Sequence, residues 1–410
     1  MNSRIGNLNK IVILYGQLIG AGGAERVAIE EAEYFAKRLK TKLLTFRAKE
    51  EALFDYKDLT ELEVLRWNSD EHNYMKLSSS LSRVIVLRRR LNELSPDIVI
   101  GCCWAGWLEL YLATLFTSIP YILHMHGSMF WFDKDLMKYA LIHKSVFNEI
   151  RESVMGHKEF IICKPRCGFL QYIKFEVLAF LDYFAVRRAK VILVLSNRVR
   201  WEVRKLYNKD AIVLRIGPIP SQILSYTPKQ NIKEKLGLRG EKVILSVSRL
   251  DPRKRIDLLI KAFAVLSNEM KDTVLVIGGK GPDEGSLKKL AKDLGVRDRI
   301  KFVGFIDEEE LRDYYAACDV FAYPGWADFA ITVYEALALQ KNVVCSTEME
   351  IDQRILATGR VFPADPSVGD FVEALKKALT AEIKTKIDLG DYTWDKYFNR
   401  IRFICEECLK

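Results

Sequence analysis

Lys242-Val243-Ile244-Leu245-Ser246-Val247-Ser248-Arg249-Leu250-Asp251-Pro252-Arg253-Lys254 decides the fold of this chain. A short β-branched apolar run stops abruptly at a basic turn, and an amphipathic stretch follows it. The same pattern returns at 273–278, 300–303, 320–323 and 342–346, with helical spacing between the runs. Near-continuous apolar strands separated by helices predict a parallel sheet covered on both faces. Ligands of such sheets bind at the carboxyl ends of the strands, where Arg249 and Lys254 fall.

Working towards the N-terminus, the alternation is present a second time. Residues 10–15, 42–46, 98–101, 121–124, 191–196 and 212–216 read as strands. Residues 25–38, 80–94, 107–116 and 197–207 read as helices. Between the two series, Pro218, Pro220 and Pro228 with the polar run 227–233 mark a linker near 217–228. The domains expected are therefore 1–217, with an aromatic and basic insertion at 129–184, and 218–390. A single helix over 391–410 has no strand after it and is expected to pack back on the first domain. At 410 residues, two doubly wound units are also what length alone predicts.

Composition narrows the classes. The 49% hydrophobic and 29% charged residues describe a globular protein, and the formal net charge of +9 favours anionic partners. The eight cysteines form no disulfide framework. Cys163 with Cys167, and Cys405 with Cys408, have spacings zinc could use, but no local His or Cys completes either set. Reduced thiols in a cytoplasmic protein are the expectation. Arg4, Lys10 and the apolar run to Ile19 resemble a leader segment, yet read better as a buried first strand before a glycine-rich loop.

That loop, Gly20-Ala21-Gly22-Gly23-Ala24-Glu25-Arg26, opens a helix whose unpaired N–H groups suit an anion. It lacks the glycine spacing and the following acidic residue of a dinucleotide fingerprint. In the second series Gly278-Gly279-Lys280-Gly281-Pro282, Phe302-Val303-Gly304 and Pro324-Gly325-Trp326-Ala327-Asp328-Phe329-Ala330-Ile331-Thr332-Val333-Tyr334-Glu335 each follow a strand. These loops converge on one sheet edge, and a helix starting near Ile331 aims its N–H groups there. Asp133 and Asp135 sit at a helix start, where Asp is favoured as a cap, so they are not read as a metal pair.

This ordered set, closed by Thr393-Trp394 before the last helix, closely resembles the family 4 retaining glycosyltransferases over nearly the whole chain. The resemblance implies a GT-B fold, two Rossmann-like domains facing a central cleft, and hexose transfer from a nucleoside diphosphate sugar to an acceptor hydroxyl. It implies no metal and no cofactor beyond that GDP- or UDP-linked co-substrate. It places Gly22 and Gly23 at the donor diphosphate and sugar, and Arg249 and Lys254 on the phosphates. Gly279 and residues Asp328, Phe329, Ala330, Ile331 and Thr332 line the donor, Glu335 binds the ribose hydroxyls, and His126 lies near the transferred sugar. One position departs: the family's first motif glutamate corresponds to Ala327, whose methyl cannot bond a sugar hydroxyl. Degeneration, a tolerant variant or a deliberate replacement would each leave this pattern, and the intact remaining motifs favour the last.

The insertion carries Phe130, Trp131, Phe132, Tyr139, Phe169, Phe180 and Phe184 among Lys134, Lys138, Lys144 and Arg151. It fits an anionic membrane surface, or equally an added layer of the core. The partners expected are a nucleotide sugar, a glycan or lipid-linked acceptor and a cytoplasmic membrane face, with mannose favoured by analogy and nucleic acid excluded by the absence of any recognised module. A catalytically inactive donor-binding scaffold and a GT-B nucleotide-sugar epimerase are the rival readings. The basic turn and the insertion argue against the epimerase.

Overall fold

The computed structural model describes residues 8–19, 22–49, 61–67, 77–102, 106–127, 169–214, 219–326, 329–382 and 385–410. Two compact units divide the chain. The first ends at Ile216 and also takes in Trp394–Lys410; the second holds Gly217–Thr393.

In the first unit the elements are β1 (Lys10–Tyr15), α1 (Gly23–Ala36), β2 (Lys40–Thr45), β3 (Leu62–Val64), α2 (Leu77–Leu94), β4 (Ile98–Cys102) and α3 (Trp107–Thr114). β5 (Tyr121–Met125), α4 (Phe169–Arg188), β6 (Ile192–Val194), α5 (Asn197–Tyr207) and β7 (Ile212–Val213) follow. The seven strands are parallel in the order β3-β2-β1-β4-β5-β6-β7. The β5 backbone is wholly enclosed, which is why its side chains read as an unbroken apolar run around His124.

The second unit contains α6 (Ile232–Lys235), β8 (Lys242–Val247), α7 (Ile256–Glu269), β9 (Thr273–Gly278), α8 (Glu284–Asp293), β10 (Ile300–Gly304) and α9 (Glu308–Ala317). It continues through β11 (Val320–Tyr323), α10 (Ile331–Ala338), β12 (Asn342–Ser346), α11 (Gln353–Leu356), β13 (Val361–Ala364) and α12 (Val368–Thr380). Its six strands run parallel in the order β10-β9-β8-β11-β12-β13. Local chemistry sets the helix starts: Asp307 accepts from the Glu310 N–H at α9, and Ser367 from the Asp370 N–H at α12. Ile244, Phe263, Leu275, Val320 and Phe371 centre the core between this sheet and its helices.

The last helix, α13 (Trp394–Cys408), belongs to the first unit. Its Phe398 ring meets Tyr34 of α1 at 5.5 Å, and its Tyr397 hydroxyl lies 2.7 Å from His124 Nε2.

α4 is apolar on more than one side. Ala179, Ala185 and Val186 are buried, whereas Phe169 (78% exposed), Ile173, Val177, Phe180 (62%) and Phe184 face outward at helical spacing. A helix apolar all round is usually buried all round, so this outer face asks for a covering surface. Residues 129–168 of the insertion lie outside the described residues. Among the described residues, no helix is long and apolar enough to cross a membrane.

Candidate functional site

Each sheet reverses its strand order once, between β1 and β4 in the first unit and between β8 and β11 in the second. Such switch points leave a crevice at the carboxyl ends of the strands. The candidate site residues of each unit sit at its own switch point.

In the second unit three loops are laced together by backbone. Ser248 N–H donates to Gly278 O at 3.2 Å, Leu250 N–H to Lys280 O at 3.0 Å and Asp283 N–H to Leu250 O at 3.1 Å. The approach is so close that side chains are excluded. A Cβ on Gly279 would lie 1.9 Å from Ser248 O, and one on Gly281 2.1 Å from Leu250 O. Gly279 also has φ +119°, a conformation open to glycine. The third loop joins through Trp326 N–H to Arg253 O at 3.3 Å, with Gly325 packed on the Lys254 backbone.

The basic residues of this turn have different duties. Arg249 is exposed. Lys254 is half-buried, its Nζ donating to the Tyr323 hydroxyl at 2.7 Å. Arg253 is folded onto Asp251, with its guanidinium at 2.7 Å from the carboxylate. Arg255 is buried against Glu348. Arg249 and Lys254 are thus the cations of the turn presented to a ligand, and Arg253 and Arg255 hold the turn together.

α10 starts at the same edge. Its N-cap is Ala330, which has no side-chain acceptor for the first-turn N–H groups, and Ile331 and Thr332 are half-buried. An anion would find those donors available. Phe329 packs on Tyr334 at 4.6 Å. Glu335, one turn further on, is 2% exposed and accepts from the Tyr315 hydroxyl at 2.9 Å. Tyr315 was not foreseen from the sequence, because nothing in its spacing from Glu335 marks it. Ala327 and Asp328 lie outside the described residues.

In the first unit Gly22 is the N-cap of α1, and Gly23 is its exposed first residue. A Cβ on Gly22 would meet Glu25 Oε2 at 2.5 Å, so the carboxylate is folded back over the helix start. His126, just past β5, is tied to the same helix by a hydrogen bond with the Ala24 backbone. Lost hydration, with the neighbouring His124 adding to it, holds the His126 imidazole well below its usual range. It is therefore a neutral ring at pH 7, able to exchange hydrogen bonds with a hydroxyl. The structure brings Gly22, Gly23 and His126 together in this unit, and Arg249, Lys254, Gly279, Phe329, Ala330, Ile331, Thr332 and Glu335 in the other.

Residues 21–216 match the family described as Glycosyltransferase Family 4, and residues 228–393 match that described as Glycosyl transferases group 1. The chain belongs to the family 4/group 1 glycosyltransferases. The chain is 30% identical over 212 residues to an uncharacterized glycosyltransferase of Methanocaldococcus jannaschii, covering 49% of this chain and 54% of that protein. It is 41% identical over 139 residues to the GDP-mannose-dependent alpha-(1-6)-phosphatidylinositol monomannoside mannosyltransferase of Mycolicibacterium smegmatis, covering 33% of this chain and 36% of that one. The matched part thus spans about half or less of the length of these curated relatives. The crystal structure of a glycosyltransferase from Rickettsia africae superposes with a TM-score of 0.72 at 16% identity, covering 98% of this chain and 100% of that one. The two parallel-sheet α/β domains are those of the GT-B fold class.

Proposed function

We propose that this chain is a retaining hexosyltransferase that moves mannose from GDP-mannose to a hydroxyl of a glycan or lipid-linked acceptor. The observation that carries the reading is the laced turn of the second unit. Gly279 and Gly281 press the backbone against Ser248–Leu250 at 1.9–2.1 Å clearance for any Cβ, while Arg249 and Lys254 remain on the open side. Close backbone approach plus a forked and a compact cation is a diphosphate cradle.

In the transfer, the bond from C1 of the sugar to the diphosphate oxygen breaks, a bond from C1 to the acceptor oxygen forms, and the acceptor hydroxyl gives its proton to the leaving diphosphate. Negative charge develops on the leaving diphosphate. Arg249, Lys254 and the α10 N-terminus stabilise it there, and no metal is called for. Glu335 holds the ribose. The mannose and guanine choices rest on the named relative from Mycolicibacterium smegmatis; a UDP-sugar would use the same cradle.

The outer face of α4 supports an acceptor held at an anionic membrane surface, with the enzyme peripheral on the cytoplasmic side. Ala327 favours one second reading, a donor-binding chain with impaired transfer. The deciding experiment is a calorimetric panel of GDP- and UDP-sugars followed by product analysis with the tightest donor. GDP-mannose binding and an α-linked mannoside are expected. Binding of no nucleoside diphosphate sugar would overturn the proposal, and binding without any transfer would select the impaired reading.

A further inference from the structure

Inside the first unit, Cys102, His124 and His126 converge beneath the β5 loop, and Glu31 adjoins the first two. Glu31 comes from α1, Cys102 from the end of β4, and His124 and His126 from β5 and the residue past its end. Cys102 Sγ donates to Glu31 Oε2 at 3.3 Å, and His124 Nδ1 lies 3.5 Å from that same oxygen. One donor atom each from Cys102, His124 and His126 fall within 4.8 Å of one another. The two imidazole rings meet edge to face at 4.3 Å.

The cluster is also unusually enclosed. Glu31, Cys102 and His124 are each 0% exposed. Among the described residues, the basic side chain beside Glu31 is His124, 3.5 Å away, and not a lysine or arginine. Glu31 Oε1 and His124 Nδ1 accept no hydrogen bond there. A carboxylate removed from water in this way is normally compensated by a full charge or a coordinated ion.

We propose that Cys102, His124 and His126, with Glu31 as fourth donor, form a binding site for a thiophilic divalent cation of the Zn2+ class. One thiolate, one carboxylate and two neutral imidazoles are a four-coordinate donor set of the kind zinc takes. The charges close as well: the 2+ ion is balanced by one thiolate and one carboxylate, so the enclosed site becomes neutral. Binding releases the Cys102 proton to solvent, and the Cys102–Glu31 hydrogen bond is exchanged for two metal bonds.

Tyr397 supplies the outer contact such sites need. His124 Nε2 lies 2.7 Å from the Tyr397 hydroxyl; in the tautomer that donates there, Nδ1 carries the lone pair, 3.5 Å from Glu31 Oε2. The ion would thereby join α1, β4, β5 and, through Tyr397, α13. The sequence hides this because only His124 and His126 are neighbours; the cysteine pairs with zinc-like spacing are elsewhere in the chain. The inference does not depend on the transfer reaction proposed above.

The test uses the full chain, stripped with EDTA and dialysed free of chelator. Zn2+ is titrated in competition with a chromophoric chelator, and Co2+ is followed by absorption. One equivalent of Zn2+ and a thiolate-to-Co2+ charge-transfer band with four-coordinate visible bands are expected. Cys102→Ala should abolish the band, and Cys408→Ala, which removes a half-exposed thiol outside the cluster, should leave it intact. Circular dichroism establishes that each variant is folded. Should Cys102→Ala fail that control, His126→Gln serves instead, lowering Zn2+ affinity by at least about tenfold while the thiolate band persists. No Zn2+ uptake, a Co2+ spectrum without a thiolate band, or binding unchanged in the folded variants would overturn the site and leave a hydrogen-bonded cluster.

Discussion

The Tyr315 hydroxyl on α9 donates to Glu335 Oε2 on α10 at 2.9 Å, in a carboxylate that is 2% exposed. The motif glutamate is therefore fixed from behind by a tyrosine that is itself fully enclosed against Phe321 at 5.6 Å. Tyr315→Phe deletes one oxygen and leaves the ring. Losing a donor to a buried carboxylate costs about 1–3 kcal/mol. Urea denaturation should show a lowered midpoint with an unchanged slope. An unmoved midpoint would mean that the bond contributes nothing.

For the cradle, a charged hydrogen bond contributes about 1.5–3 kcal/mol, so Arg249→Ala should weaken nucleoside diphosphate binding roughly ten- to a hundredfold. Lys254→Ala should do the same. Because Lys254 is held by the Tyr323 hydroxyl, Tyr323→Phe should reproduce a part of the Lys254→Ala loss. Calorimetric affinities indifferent to both alanine variants would remove the phosphate role from this turn.

Gly279 tests the backbone half of the same cradle. A methyl there would sit 1.9 Å from Ser248 O at φ +119°. Neither atom belongs to a flexible side chain, so Gly279→Ala must open the loops. Strain and overpacking of this kind cost about 1–3 kcal/mol each. Thermal unfolding should fall, and nucleotide affinity should fall with it even though no charge was removed. Affinity retained at full strength would show that the cradle does not need this approach.

How much of this was legible in sequence depended on burial. β1, β9, β11 and β12 have the bounds that their apolar runs predict, because each is enclosed by its neighbours. The missed strands lie at sheet edges. β3 is a half-exposed Leu62–Val64 interrupted by Glu63, and β13 contains Pro363, which an edge strand tolerates. α4 was obscured for the opposite reason, since apolar residues on several faces give no single stripe. Within the sites, the positions of Arg249 and Gly279 just past strands follow from the pattern, whereas His126 was singled out by the family resemblance. Tyr315, Glu31 and Tyr397 act across elements distant in sequence, and no local spacing points to them.

Position 327 tests the impaired reading. If Ala327 stands where transfer needs a carboxylate, Ala327→Glu should raise turnover by at least about tenfold. Nucleoside diphosphate affinity should hardly change, since the restored group bonds the sugar and not the diphosphate. Single-turnover transfer and calorimetry on the same preparation separate the two quantities. Turnover no higher than that of the alanine chain, over several donors and acceptors, would locate the catalytic group elsewhere.

The outward face of α4 makes the membrane part of the proposal measurable. Phe169, Ile173, Val177, Phe180 and Phe184 recur at intervals of four, four, three and four residues, and the Phe180 and Phe184 rings touch at 4.8 Å. At the end of the helix Arg187 and Arg188 donate to the carbonyls of Asn208 and Thr114, at 2.7 and 2.9 Å, so their charges are held in place beside the stripe. A second copy of the chain would bring these like charges together, whereas an anionic lipid surface would neutralise them. Each basic residue near such a surface contributes about 1 kcal/mol, and insertion of the phenylalanines adds apolar burial. Exposed charges are screened over about 10 Å at 0.1 M salt, so the charge contribution should fade as salt rises while the apolar one remains. In co-sedimentation, the chain should pellet with anionic vesicles at low salt, less at high salt, and weakly with neutral ones. Replacing Phe169, Phe180 and Phe184 together by serine should remove the salt-resistant part of the binding, with nucleotide binding retained. A wild-type chain that stays in the supernatant throughout would exclude this face as a lipid contact. A soluble glycan would then be the acceptor to test.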